Sequence, residues 1–134
     1  MNEEARSLIS HRLRRAHEAI DEAKILFDAD HLNTYVNRLY YACFYAASAL
    51  LLTKDLSTAK HGRLRALFHQ EFVKPGLLPV KLGKHFDRLF DNRQKGDYED
   101  FVQFKTEEVS GWLDDTSSFV DGVEILIKNS FLGP

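Results

Sequence analysis

Apolar residues recur along this chain at steps of three and four and nowhere in sustained alternation, so the pattern predicts helices and no sheet. From about Asn2 to Ala29, Ile9, Leu13, Ala16, Ile20, Ala23 and Phe27 trace one stripe. Arg12, Arg14, Arg15, Glu18, Asp21, Glu22 and Lys24 lie between them as a solvated face. Asp30 to Asn33 reads as a polar turn, with Asn33 or Thr34 as the cap of a second helix that runs to about Thr53. From Val36 to Leu52 this helix is apolar nearly all round, which makes it the central one, touched on several sides. Its small residues, Ala42, Cys43, Ala46, Ala47 and Ala49, allow neighbours to approach closely.

A third, shorter helix is expected after a cap at Ser57 or Thr58. It carries Leu64, Leu67, Phe68 and Phe72 and ends at Lys74-Pro75-Gly76. Pro79 suits the first position of a fourth helix reaching about Gln94, with Gly96 in the left-handed conformation that closes it. Thr106-Glu-Glu108 opens the last helix with a cap and early acids, and Val109, Trp112, Thr116, Phe119, Val123 and Leu126 form its stripe. The expected fold is all-α: an antiparallel up-and-down bundle of four to five helices, forming one domain over residues 1–134.

Composition changes this picture little. With 44% apolar and 28% charged residues the chain is ordinary for a globular protein. A net charge of −2 gives no global attraction to nucleic acid, so any RNA contact must use a local basic patch. The longest apolar run is too short to cross a bilayer, and no basic and apolar leader opens the sequence, so neither a membrane role nor secretion is expected. One cysteine, Cys43, excludes an internal disulfide and suits a cytoplasmic location. No zinc spacing or phosphate-loop motif is present, and no metal or cofactor is expected.

The candidate chemistry gathers at the end of the fourth helix. Leu82, Phe86, Leu89 and Phe90 fall at helical spacing, and Arg93, four after Leu89, continues their apolar stripe. A guanidinium there calls for an ion pair, an interface or a substrate. Asp97 or Asp91 could supply the ion pair, and Asp97 could equally orient Arg93 toward a phosphate. Lys60, His61, Arg63 and Arg65 form a small basic cluster at the start of the third helix, where free amides already favour an anion. A histidine that merely caps or packs is the plainer reading of His61. Tyr40, Tyr41, Phe44 and Tyr45 read as core and dimer contacts, and His69 and His85 as surface or half-buried positions.

With these pieces in this order the chain resembles the HEPN family, in particular a small stand-alone bacterial and archaeal branch. The resemblance rests on Arg38-Leu-Tyr-Tyr-Ala-Cys-Phe-Tyr-Ala-Ala47, Lys60-His-Gly62, Gly76-Leu-Leu-Pro79 and Arg93-Gln-Lys-Gly-Asp-Tyr98. It implies a helical bundle that forms a homodimer. It also implies contact with RNA or a nucleotide, and a setting beside a minimal nucleotidyltransferase that acts as antitoxin. Many such proteins are metal-independent ribonucleases in which an arginine and a histidine, four to six residues apart, meet at the dimer cleft and the RNA 2′-hydroxyl attacks the adjacent phosphate. Arginine suits phosphate and histidine suits proton transfer near neutral pH.

Here Arg93 matches the arginine, but the histidine position holds Tyr98. A phenol with a pKa of about 10 is a poor base at neutral pH. Losing a general acid or base costs on the order of 10² to 10⁴ in rate. The resemblance therefore favours a binding or regulatory module, with Arg93, Lys60, His61 and Arg63 as contacts. The alternative is a ribonuclease toxin built on Arg93, Tyr98 and Asp97, or on another histidine. It also marks Tyr98 as a candidate acceptor for an adenylyl group from the partner.

Overall fold

The computed structural model describes residues 2–98 and 103–132, without the side chains of Gln94, Gly96, Asp97, Tyr98, Phe131 and Leu132. Six helices follow one another: α1 (Glu3–Asp28), α2 (Leu32–Leu52), α3 (His61–Phe68), α4 (Val80–Tyr98), the single turn α5 (Thr106–Val109) and α6 (Trp112–Leu132). A π-helical turn, His69–Val73, prolongs α3. Among the described residues there is no strand, and the protein is an all-α bundle as the periodicity predicts.

Asn2 caps α1 by accepting the Ala5 amide at 2.8 Å, and Ile9, Ala16, Ile20 and Ala23 are buried along the predicted stripe. The chain then reverses within a few residues. Asp30 adopts a φ of 63°, a left-handed conformation that aspartate tolerates better than most side chains, and the His31 amide donates back to the Leu26 carbonyl. This tight closure starts α2 at Leu32, so Asn33 and Thr34 lie inside the helix and neither caps it; His31 holds the cap position without a side-chain bond.

Helices α1 and α2 run antiparallel. Phe27 meets Tyr35, Glu22 meets Arg38, Arg15 meets Tyr45 and Arg12 meets Ser48, the numbers falling on one helix as they rise on the other. As its composition demands, α2 is central, packing against α1, α3, α4, α5 and α6. Phe68, Phe86 and Phe119, from α3, α4 and α6, meet in the core with ring centroids 5.3–5.6 Å apart, and all three are fully buried. Truncating such a residue to alanine costs about 3–5 kcal/mol.

The later boundaries depart from expectation. Helix α3 starts at His61, because Thr58 accepts the Lys60 amide and holds the preceding residues in a turn. The π turn carries the helix to Val73, its wide closure marked by the Lys74 amide on the His69 carbonyl at 2.8 Å. It brings His69 against Gly83 of α4, where an added Cβ would sit 2.7 Å from the imidazole Cε1. The left-handed glycine is Gly76, with φ 86°, whereas α4 continues through Gly96 to Tyr98. The last segment breaks at Ser110-Gly111, separating α5 from α6.

Candidate functional site

Tyr40, buried on α2, is the hub of the site. Its hydroxyl lies 2.7 Å from Nδ1 of His61, the first residue of α3. The Arg93 guanidinium of α4 sits over the Tyr40 ring at 5.1 Å and the Tyr41 ring at 5.6 Å. The phenol donates to Nδ1 or accepts from it according to the imidazole tautomer. Three residues far apart in sequence thus gather: guanidinium, phenol, imidazole.

The surroundings tune each member. Burial pushes the Tyr40 phenol well above its ordinary pKa, and Arg93 only partly offsets this, so the hydroxyl keeps its proton. Burial, followed by the nearby Arg93 charge, lowers the His61 pKa below the usual histidine value, which favours the neutral ring at neutral pH. His61 is also stacked on Phe44 at 4.4 Å, and this contact fixes its plane.

More arginines lie along the same aromatic face. Arg65, one turn beyond His61 on α3, covers Phe90 at 4.3 Å and pairs with Asp87, which also meets His69 at 2.9 Å. Arg38 covers Tyr41 at 5.0 Å and pairs with Glu22. On the other side of His61 a groove of about 400 Å³ opens between α1 and α2, with Arg12 and Arg15 on its wall. Arg12 is half-buried and donates to Ser48, so it does not belong to the freely solvated face expected of α1.

The predicted residues divide accordingly. Arg93 and His61 come together. Lys60 and Arg63 are exposed, and Arg63, two residues past His61, projects from the opposite side of α3. The side chains of Asp97 and Tyr98 lie outside the described residues, though the backbone places both in the last turn of α4. Sequence reasoning missed the linking role of Tyr40, whereas Arg65, counted in the basic cluster at the start of α3, joins this face four residues after His61. Tyr41, Phe44 and Tyr45 are only half-buried, and they line this face as well as the core.

A second histidine–arginine pair occupies another face of α4. Arg88 and Arg93 are five residues apart, about 140° around the helix. His85 is buried, 6% exposed, in place of the surface or half-buried position expected. Arg88 donates to its Nδ1 at 2.7 Å, so Nε2 carries the proton and donates to Thr116 at 2.8 Å. Arg88 then reaches Asp115 at 3.0 Å and covers Trp112. Burial, with Arg88 beside it, lowers the His85 pKa to about 4. Burial pushes the nearby Cys43 thiol well upward.

Among the described residues no three His, Cys, Asp or Glu side chains gather as a metal site, and no helix is long and apolar enough to cross a membrane.

Comparison with known proteins places this arrangement in a family. Residues 9–126 match the HEPN domain. The chain is 44% identical over 129 residues to a UPF0332 protein of Thermotoga maritima, covering 96% of this chain and 97% of that one. It is 32% identical over 128 residues to a Methanocaldococcus jannaschii protein named "Putative toxin MJ0605", covering 96% and 95% of the two chains. A second protein of that organism, "Putative toxin MJ0142", is 28% identical over 123 residues, covering 90% and 84%. The match spans nearly the whole bundle, including all of α2, α3 and α4, and this chain belongs to the HEPN family.

Proposed function

We propose that this domain is an RNA- or nucleotide-binding regulatory module of a toxin–antitoxin-like system, acting as a homodimer with a partner nucleotidyltransferase. The observation that carries the reading is the aromatic face on which Arg93 lies over Tyr40 and Tyr41 and Arg65 over Phe90, with His61 between them. On a chain of net charge −2, such a face is the local basic patch that RNA contact requires. Guanidiniums bind phosphate through paired donors, and flat side chains interleaved with them accept bases without demanding a sequence. The two relatives named as toxins support the setting.

The test is fluorescence anisotropy with a labelled single-stranded RNA. Arg93→Ala is expected to weaken binding about tenfold and to flatten the dependence of affinity on salt, with the fold intact by circular dichroism. Equal affinity in wild type and variant, across the salt range, would remove the reading.

A second reading, metal-independent ribonuclease, is favoured by the 2.7 Å contact between Tyr40 and His61 beside Arg93. It supplies near the arginine an imidazole that position 98 lacks. In the tautomer with the proton on Nδ1, Nε2 of a neutral His61 could accept the proton of the attacking 2′-hydroxyl while Arg93 stabilises the charge growing on phosphorus. Cleavage of labelled RNA in EDTA by wild type, lost in both His61→Asn and Arg93→Ala, is the expected result under this reading. Inactivity of the wild type with activity gained in Tyr98→His would assign the chain to the binding reading.

A further inference from the structure

The groove between α1 and α2 has an unusual electrostatic make-up. Arg12, Arg15, Phe44, Tyr45 and His61 all line it, and His61 is also close enough to Arg93 to feel its charge. No carboxylate lines it among the described residues. Elsewhere on the molecule Arg38, Arg65 and Arg88 are each matched by an acid, namely Glu22, Asp87 and Asp115. Arg12 instead donates to the neutral hydroxyl of Ser48, and Arg15 lies over the Tyr45 ring at 5.0 Å while donating to its hydroxyl.

Holding a guanidinium half-buried beside only neutral partners is costly, and burial lowers the Arg12 pKa. Each arginine has five N–H donors, and one bond apiece, to Ser48 and to Tyr45, leaves most of them to be met by solvent or an anion. The bonds to Ser48 and Tyr45 also hold both guanidiniums in place before any ligand arrives, which cuts the ordering cost of binding.

We infer that this groove is a second RNA subsite, taking the phosphate and nucleoside next along the strand from the phosphate at Arg93. The inference rests on the RNA-binding reading of the Arg93 face and extends it. His61 borders both places, so a strand at Arg93 passes directly into the groove. The volume of about 400 Å³ lies in the range of small-ligand pockets and leaves room for one nucleotide in an open channel. The planar Arg15 guanidinium, already over an aromatic ring, offers a second stacking surface. The site therefore reads strand length: a two-nucleotide RNA reaches only the Arg93 face, and a hexanucleotide occupies both.

Affinities of labelled UpU and of U6 for the full-length protein test this, in wild type, Arg12→Gln/Arg15→Gln and Arg93→Ala. The double variant is expected to weaken U6 about tenfold while leaving UpU unchanged, whereas Arg93→Ala weakens both. Unchanged U6 affinity in the double variant, with Arg93→Ala still impaired, would overturn the groove subsite and leave the Arg93 face standing. An equal loss for UpU and U6 would overturn it too, since the groove would then not be an extension. No binding of either RNA by wild type would remove both readings. A dimer that dissociates on sedimentation of the double variant, with U6 affinity unchanged, would assign the groove to a second copy of the chain.

Losing the Arg12–Ser48 bond could unfold the double variant, so Arg15→Gln alone and photo-crosslinking provide a second route. U6 carrying 4-thiouridine at one end is expected to crosslink to the α2 peptide containing Phe44 and Tyr45. Crosslinks confined to α4 would overturn the inference.

Discussion

Helix α4 sets an arginine beside a histidine on each of two faces, Arg88 beside its own His85 and Arg93 beside His61 of α3, and the two regions use the same chemistry to opposite ends. At His85 the pair is closed: Arg88 donates to one ring nitrogen, Thr116 receives the proton of the other, and Asp115 answers the guanidinium charge. At His61 the Tyr40 phenol, with Arg93 over its ring, meets one nitrogen beside half-buried aromatic rings and a groove that no carboxylate lines among the described residues. A histidine and an arginine side by side are therefore not in themselves a functional sign. What differs is the third member: an acid completes the first set, and a phenol with exposed neighbours completes the second.

The contrast sets out where each region should fail. The largest effect is expected from acid. The folded-state pKa of His85 is lowered to about 4 from an ordinary value of about 6.5, so the unfolded chain binds the proton more readily between those values. The stability linked to this group is fully present above about pH 6.5 and is lost as the pH falls toward 4, by up to about 3 kcal/mol. Urea midpoints at pH 7 and pH 4.5 should reveal this, and His85→Gln should flatten the difference. An equal pH slope in the variant would place the acid sensitivity elsewhere.

Next in size is Arg88→Ala. The Arg88–Asp115 ion pair is substantially exposed and contributes little by itself. The cost arises because the buried Nδ1 of His85 loses its donor, about 1–3 kcal/mol by thermal or urea unfolding. Arg93→Ala should reverse the pattern, costing about tenfold in RNA affinity, near 1.4 kcal/mol, with a smaller change in unfolding midpoint. If Arg88→Ala impaired RNA binding and Arg93→Ala mainly lowered the midpoint, the assignment of the two faces would be inverted.

The smallest effect should come from Tyr40→Phe, which keeps the ring and removes the hydroxyl between Arg93 and His61. About 1 kcal/mol of stability is expected to go with the bond. The informative readout is the His61 titration by NMR, which should change because its Nδ1 partner has gone. An unaltered His61 titration would mean that the phenol does not set the state of the ring.

Much of the bundle can be read along the chain. The stripe from Ile9 to Phe27, the all-round apolar α2 and the run from Leu82 to Phe90 are repeats of 3.6 residues, and burial follows them closely. The boundaries that escaped were those set by neighbours. The π turn that seats His69 against Gly83 makes room for a contact between helices, and α4 runs through Gly96 although glycine at that point suggested an end.

For the site, the sequence by itself singled out Arg93, because a charge continuing an apolar stripe is visible from spacing alone, and it marked His61 through its place at a helix start. It placed Arg12 and Arg15 on an ordinary solvated face and left the tyrosines of α2 in the core. Only the tertiary structure joined Arg93 to His61 through Tyr40, opened the groove beside them and sealed His85 against Thr116. The reason is geometric. Periodicity fixes which residues share one face of one helix, whereas the rotation and crossing of α2, α3 and α4 decide which faces meet.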